Sequence, residues 1–111
     1  MTNANKARGD RAERAAKQAA NDSGIRTERT RAGYTRDAGD LHLFTPNGLA
    51  VAQVKDCKAY AWPKWFEQLD AQMVEAGTDT GFLWVKRPGQ GDAGEWLAVM
   101  PAKQMLKLLG K

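Results

Sequence analysis

The sequence predicts a mixed α/β domain, in which helices flank a central mixed five-stranded sheet in the order αβββαββα. An Ala-rich segment with helical spacing precedes residues 25–58, where apolar and polar side chains alternate as they do in strands. A second helical stripe begins at Trp62, and the apolar run Phe82-Leu83-Trp84-Val85 is typical of a strand buried on both faces. Because each element must bury one face, the helices are expected to cover the sheet.

Length and composition place the chain among globular proteins. With 111 residues, of which 42% are hydrophobic and 27% charged, it has room for one hydrophobic core and for no separate cofactor domain. We therefore expect a single domain over residues 6–111, preceded by a flexible tail of residues 1–5. No apolar run is long enough to span a bilayer, and the first residues lack a secretory signal, so we expect a cytoplasmic protein. The single cysteine, Cys57, excludes an internal disulfide and fits a reducing compartment.

The first helix is predicted over residues 6–21, because alanines recur there at helical spacing. These are Ala12, Ala15, Ala16, Ala19 and Ala20. Glu13 lies three and seven residues before Ala16 and Ala20, so it borders the buried stripe and is a candidate to reach a functional site. The alternative is an exposed Glu13 that pairs with Lys17 one turn later, which is the commoner outcome for such a residue.

A predicted hairpin carries the pattern around which the chain is organised. A strand over residues 40–44 is followed by the turn sequence Thr45-Pro46-Asn47-Gly48 and by a second strand. Side chains two residues apart on a strand lie on one face, so Gln53 and Lys55 are expected to lie together. Antiparallel pairing in the hairpin then brings Asp40, at the start of the first strand, close to both of them.

Arginines are concentrated just before Asp40. The formal net charge of +4, from 17 Lys and Arg against 13 Asp and Glu, is compatible with a polyanionic partner. Residues 25–31 are predicted as a polar edge strand and residues 31–39 as a loop. Four arginines lie around Tyr34, namely Arg26, Arg29, Arg31 and Arg36. Arginines around an aromatic ring suit contacts with phosphate and a stacked base or sugar, although a solvated edge strand and loop explains this segment equally well.

A second helix is predicted from Trp62 to Gly77, with an apolar stripe that should pack in the core. The stripe consists of Trp62, Phe66, Leu69, Met73 and Ala76. Trp65 falls off the centre of this stripe, so we expect it to be exposed, at an interface or near DNA. A last strand over residues 95–100 leads to a terminal helix. Its apolar residues, Met105, Leu108 and Leu109, are expected to pack on the sheet.

The hairpin residues suit hydrolysis of a phosphodiester by metal-bound water. Mg²⁺ prefers oxygen ligands, lowers the pKa of its bound water and neutralises charge on the phosphorus oxygens. Asp40 is the principal candidate ligand, Gln53 can offer its carbonyl oxygen, and Glu13 can supply a second carboxylate. Lys55 would stabilise the developing charge and orient or help deprotonate the attacking water. A Gln-x-Lys pattern alone occurs often by chance, so this prediction depends on its agreement with the hairpin and the first helix.

The chain resembles Holliday junction resolvases of the PD-(D/E)xK nuclease superfamily, which have a restriction-endonuclease-like fold. The resemblance depends on residues 6–13 of the first helix, on Gly24-Ile25 with the arginines that follow, on Gly39-Asp40-Leu41 and on Ala52-Gln53-Val54-Lys55. It covers residues 6–76, and the remainder only in the order of its elements. A Glu on the helix after a basic residue and Gly is typical of the archaeal-type resolvases, and the small size is typical of a phage-encoded relative.

The resemblance implies a structure-specific endonuclease that depends on Mg²⁺, for which Mn²⁺ can substitute. It also implies a homodimer that makes paired nicks in four-way DNA junctions. By position, Glu13, Asp40 and Gln53 match metal-site residues, and Lys55 matches the catalytic lysine. The residues expected to contact DNA are Arg8, Arg29, Arg31, Tyr34, Arg36 and Lys58. Gly39 stands where the motif has Pro, and Gln53 replaces the usual acid, which weakens the attraction for metal.

Two other functions fit the same residues. One is another small nuclease of the superfamily, acting on flaps, nicked duplex or DNA ends, because the shape of the substrate is read by the dimer and its basic surface. The other is a basic DNA-binding module that keeps the fold but has lost the chemistry, with Gln53 as the mark of that loss. Cleavage in Mg²⁺ separates the two, because the module would bind DNA equally well in chelator and never cut.

Overall fold

A computed structural model describes residues 2–29 and 40–110, and of residues 2–5 and Asp40 it describes the backbone alone. The elements in this part of the chain are α1 (Thr2–Asp22), β1 (Arg26–Arg29), β2 (Asp40–Thr45), β3 (Gly48–Lys55), α2 (Trp62–Ala76), β4 (Gly81–Val85), a short 3₁₀ helix (Ala93–Glu95), β5 (Leu97–Val99) and α3 (Ala102–Leu109). Within the described residues, therefore, the predicted mixed α/β architecture with a five-stranded mixed sheet and three α-helices is confirmed.

The strands lie side by side in the order in which they occur in the chain, from β1 to β5. The pairs β1–β2, β2–β3 and β4–β5 are antiparallel, whereas β3 and β4 are parallel. A parallel pair needs a long crossover connection, and α2 provides it. Consequently β3 lies at the centre of the sheet and joins its antiparallel half to the strands that follow α2.

The hairpin of β2 and β3 has the predicted register. Thr45 pairs with Gly48 at the turn, and the Thr45 hydroxyl donates a hydrogen bond of 2.7 Å to the Gly48 carbonyl oxygen. Gly48 has a φ of 117°, which a residue with a Cβ adopts only with strain. Counting back from this turn, the register places Asp40 directly opposite Gln53.

Side-chain alternation along β3 divides the apolar residues between two cores. Ala50, Ala52 and Val54 belong to the core that contains three alanines of α1, namely Ala12, Ala16 and Ala20. Val51, on the opposite face, belongs to the core that contains Leu69 of α2. The small side chains on both surfaces of the first core allow α1 to lie close to the sheet.

The prediction for Trp65 is wrong, because this residue is buried. Trp65 is 6% exposed and packs with Leu69, Leu83 and Val85 in the core beneath α2. The α2 helix buries Trp65 and Leu69, which are one turn apart, so its buried stripe lies to one side of the predicted centre. The other predicted stripe residues pack around this pair as partly buried side chains: Trp62, Phe66, Met73 and Ala76.

The α1 helix begins earlier in the chain than the helix predicted from Lys6. The α1 helix begins at Thr2, so residues 2–5 have helical backbone where we expected a flexible tail. These residues include neither proline nor glycine, and nothing in the sequence therefore ends the helix before Lys6. No helix in the described residues, α1 included, is long and apolar enough to cross a membrane.

The terminal helix is not packed on the sheet as predicted. The apolar side chains of α3 remain exposed in the described structure, which holds for Met105, Leu106, Leu108 and Leu109. Gln104 makes a polar attachment instead, because its Oε1 accepts a 3.0 Å hydrogen bond from the Gly81 backbone N–H. The last strand, β5, is only three residues long, so it offers α3 little apolar surface to cover.

Gly81, the first residue of β4, gives a test of the packing beneath α2. A Cβ at this position would lie 2.7 Å from Met73 Sδ and 3.0 Å from the Val51 carbonyl oxygen. Because that oxygen belongs to the backbone of β3, we expect Gly81→Ala to lower the free energy of unfolding by about 1–3 kcal/mol. Gly91→Ala, which points into open space, is the control and should change it by less than about 1 kcal/mol. Urea denaturation measures both, and equal values would contradict the packing.

Candidate functional site

The predicted site residues of the hairpin lie at the ends of β2 and β3 farthest from the turn. Asp40 is the first residue of β2, and its partner in the antiparallel register is Gln53. Lys55 is the last residue of β3, two positions beyond Gln53 and on the same face of the strand. The backbone thus brings these three positions together, as the alternation of the sequence predicts.

The α2 helix holds the amine of Lys55. Lys55 Nζ donates a 3.1 Å hydrogen bond to Gln68 Oε1, and it lies 5.5 Å from the centroid of the Trp65 ring. Gln68 and Trp65 are three residues apart and therefore share one face of α2. Sequence analysis did not identify Gln68 as a site residue. The three-residue spacing of Gln68 from Trp65 could have indicated a shared face, but only with the knowledge that Trp65 lies on the buried face of α2.

The side chain of Gln53 is buried beside the strand end. It is 2% exposed, and neither its Oε1 nor its Nε2 has a hydrogen-bond partner among the described residues. An unpaired buried amide costs about 1–3 kcal/mol, so a ligand that accepted or supplied its hydrogen bonds would recover that energy. An amide oxygen is also among the hard oxygen ligands that Mg²⁺ uses.

Glu13 extends from α1 and is bound by an arginine of β1. It is 6% exposed, and Oε1 accepts hydrogen bonds from Arg29 Nη2 at 2.7 Å and from Arg29 Nε at 3.1 Å. Arg29 Nη2 also donates to Asp10 Oδ1 at 3.1 Å. The ion pair of Glu13 is thus made with a residue sixteen positions away in the chain, which helical spacing could not predict.

Electrostatics connect Glu13 to Lys55. Burial raises the pKa of Glu13 above its usual value of 4.5; the hydrogen bond and charge of Arg29 oppose this rise, the charge of Asp10 adds to it, and the charge of Lys55 lowers the pKa. The helix-borne carboxylate and the strand-borne ammonium are therefore close enough to influence one another.

The residues expected to contact DNA fall into three groups. Arg31, Tyr34 and Arg36 lie outside the described residues. Arg29 is engaged with two carboxylates of α1, those of Asp10 and Glu13. Arg8 is half-buried on α1, and Lys58 is exposed in the segment that follows β3.

Magnesium binds the kinds of donor that the strand ends carry. Among the described side chains, no group of three or more His, Cys, Asp or Glu could hold a metal; this count leaves out amide oxygens and the side chain of Asp40. Mg²⁺ needs only one or two carboxylates, with water and substrate phosphate completing the shell. Gln53 lies on the α2 face of β3, whereas Arg29, which binds Glu13, lies on the α1 face of the sheet. Glu13 would therefore have to reach a metal beside Gln53 around the end of the sheet.

An apolar groove lies elsewhere in the described structure. It has a volume of about 600 Å³ and is lined by the hairpin turn, by apolar side chains such as Phe82, Trp84 and Trp96, and by α3. Its described lining includes none of the predicted site residues. The candidate site is therefore a feature of the strand ends and not of this groove.

Comparisons of the chain with protein-family models, with curated proteins and with solved structures found no match.

The raised pKa of Glu13 gives a test of its burial. A carboxyl group whose pKa is raised by folding stabilises the fold fully below its usual pKa, and this stabilisation is lost as the pH rises through the raised value. We therefore expect the wild type to lose free energy of unfolding relative to Glu13→Gln as the pH rises from below 4.5, the usual pKa, through the raised value. Urea denaturation at a series of pH values measures the difference.

The control for this test is Glu28→Gln, which removes an exposed carboxylate from β1. Its difference from the wild type should change much less with pH, because the Glu28 side chain remains exposed to solvent in the folded chain. A difference between wild type and Glu13→Gln that stays constant across the range would contradict a raised pKa for Glu13.

Proposed function

We propose that this chain is a Mg²⁺-dependent DNA endonuclease that resolves four-way junctions by paired nicks, and that its sheet has the restriction-endonuclease-like fold. The observation that supports this best is the register of β2 and β3, which pairs Asp40 with Gln53 and sets Lys55 two residues further along β3. A carboxylate, an amide oxygen and an ammonium at adjoining strand ends are the groups that metal-assisted hydrolysis of a phosphodiester requires.

Each protein group has a separate role in this proposal. Asp40 and Gln53 would hold the metal, with Glu13 adding a carboxylate from α1, and a bound metal would supply water of lowered pKa and neutralise charge on the phosphate. Lys55 places its ammonium beside the phosphate, neutralises the charge that develops there and orients the attacking water. Gln68 fixes the position of that ammonium, because its Oε1 accepts a hydrogen bond from Lys55 Nζ. Correct placement is itself a large part of such catalysis.

The charge balance of the site bears on how tightly it can bind metal. Gln53 contributes no negative charge. The negative charge of Glu13 is offset by the Arg29 guanidinium, whose Nη2 lies 2.7 Å from Glu13 Oε1. The protein alone would therefore attract a divalent cation weakly. In this proposal the DNA phosphate supplies the missing negative charge, so metal and substrate bind more tightly together than either does alone.

Paired nicks require two active sites, so we propose that the functional form is a homodimer bound to one branched DNA. The exposed apolar side chains of α3 are a surface suited to such association, with Leu106 and Leu109 66% and 72% exposed. Trp65, which we expected to contribute to an interface, is buried within the chain and cannot do so.

Cleavage of a labelled four-way junction, beside the matching linear duplex and a flap, tests the proposed function. In Mg²⁺ we expect symmetric paired nicks in the junction and little cutting of the duplex. Asp40→Asn should lower the rate at least about a hundredfold, because it removes the principal carboxylate ligand. Asp79→Asn is the control, since Asp79 is exposed and lines the groove near the hairpin turn.

Three outcomes would contradict the resolvase. Equal cutting of junction, flap and duplex would instead indicate a general nuclease with the same site. Tight binding without cutting in Mg²⁺ or Mn²⁺ would indicate a DNA-binding module. A monomeric mass by light scattering, both with and without junction DNA, would contradict paired cleavage by a homodimer.

Substitution of Gln68 tests the role of α2 in placing the ammonium. We expect Gln68→Ala to lower the cleavage rate about tenfold to a hundredfold without weakening DNA binding, because Lys55 keeps its charge but loses the hydrogen bond to Gln68. Gln72→Ala, one turn further along α2, is the matched control and should leave the rate unchanged. Single-turnover cleavage and binding in chelator measure the two effects separately. Equal rates for the two variants would show that Gln68 has no part in the reaction.

A further inference from the structure

Three aromatic rings form a cluster beside Lys55 that the proposed reaction does not use. The ring centroids of Tyr60 and Trp62 are 5.1 Å apart, and those of both residues lie close to Trp65, at 6.0 and 5.3 Å. Lys55 Nζ also lies 5.5 Å from the Trp65 centroid. The buried Trp65 ring thus connects the amine of the candidate site with an aromatic surface further out.

The outer part of this cluster is accessible and firmly supported. Tyr60 is 44% exposed and Trp62 is half-buried. Trp62 is the first residue of α2, and Pro63 limits the backbone freedom of that turn. Because Trp65 lies beneath both rings, they present a supported aromatic face at little further cost in side-chain entropy.

Positive charge lies beside this aromatic cluster. Lys55 Nζ is 5.5 Å from the Trp65 centroid, and the exposed Lys58 precedes Tyr60 by two residues. Positive charge beside an exposed aromatic face is the combination with which proteins bind unpaired nucleotides, since the lysines attract the phosphates and the ring stacks on the base. The charge complementarity therefore favours a nucleic acid as the occupant.

We propose that Tyr60 and Trp62 form a stacking platform for one unpaired nucleobase of the DNA, next to the phosphate that is cut. This inference rests on the proposed function and adds to it a basis for choosing branched DNA. A branch point exposes bases that a continuous duplex keeps stacked. A base held on the platform would bring its neighbouring phosphate towards the ammonium of Lys55.

The platform can be tested by binding alone, in chelator, so that no cleavage is needed. The probes are a four-way junction with 2-aminopurine at the branch point, a bulged duplex with 2-aminopurine in the bulge, and a fully paired duplex. We expect the wild type to quench the 2-aminopurine fluorescence of the first two probes. Tyr60→Ala should weaken their binding about tenfold and remove the quenching, whereas binding of the paired duplex should stay the same.

Two control variants separate stacking from other effects. Tyr60→Phe keeps the ring and should bind the bulged duplex as the wild type does. Phe44→Ala removes a ring that is comparably exposed, at 39%, and lies near the hairpin turn. Arg26 lies 4.0 Å from the centroid of this ring. This variant should bind and quench all three probes as the wild type does. Trp62 is left intact because it packs on the core, and thermal unfolding should confirm that each variant is folded.

Several results would overturn the platform. Unchanged quenching in Tyr60→Ala would overturn it, as would an equal loss of affinity for the paired duplex. A lower mass of Tyr60→Ala than of the wild type in light scattering would also overturn it, because the surface would then be a contact between two copies of the chain. Failure of the nuclease proposal gives a different result. Quenching that depends on Tyr60 in a protein that never cuts in Mg²⁺ would support the platform alone. Junction cleavage together with normal bulge binding by Tyr60→Ala would support the nuclease and overturn the platform.

Discussion

The register of β3 is the constraint on which the rest of the described structure depends. This strand pairs with β2 on one side and β4 on the other, and its alternate side chains enter two different cores. A shift of one residue would exchange the two sets of side chains, because the side-chain period of a strand is two. The small residues Ala50 and Ala52 would then face α2, and Val51 would enter the narrow space beneath α1. The packing that stabilises the sheet therefore also fixes the face on which Gln53 and Lys55 lie.

Two buried polar residues differ in how well structure alone explains them. Glu13 has a sufficient structural explanation, because Arg29 neutralises it and fastens α1 to β1. Gln53 has none among the described residues, since a leucine or methionine would fill similar space without leaving an amide unpaired. A polar group kept in a costly position is more readily explained by a ligand than by packing. For this reason Gln53, which stands where the PD-(D/E)xK motif has an acid, carries more weight in the proposal than Glu13 does.

Local patterns in the sequence were sufficient for the parts of the fold that local chemistry decides. The turn at Gly48 and the alternation of apolar and polar side chains fix the hairpin register. These local features were enough to predict that Asp40 and Gln53 lie close together. Helical spacing located α2 but not the centre of its buried face. Which stripe of an amphipathic helix is buried depends on the surface it meets, and Trp65 is drawn inward because β3, β4 and Lys55 lie beneath it.

Contacts between distant parts of the chain could not be predicted in the same way. The pairing of Glu13 with Arg29 joins a helix to a strand, and no spacing rule links the two residues. The exposure of α3 depends on the shortness of β5, which its sequence does not reveal. The fold class was therefore accessible from the sequence, whereas the network of partners that gives each site residue its charge and position required the three-dimensional structure.

Most of the candidate site nevertheless comes from one continuous stretch of the chain. The strand β3 ends at Lys55, the following segment carries Tyr60, and α2 then turns back so that Trp65 and Gln68 contact the lysine. The parallel crossover to β4 sets the direction of α2, so the same connection that completes the sheet also brings the supports of the ammonium to it. The β2 and α1 elements add only the carboxylates. In this arrangement the position of the amine and the aromatic face beside it are set locally, and metal binding depends on how the distant carboxylates of Asp40 and Glu13 are held against this stretch.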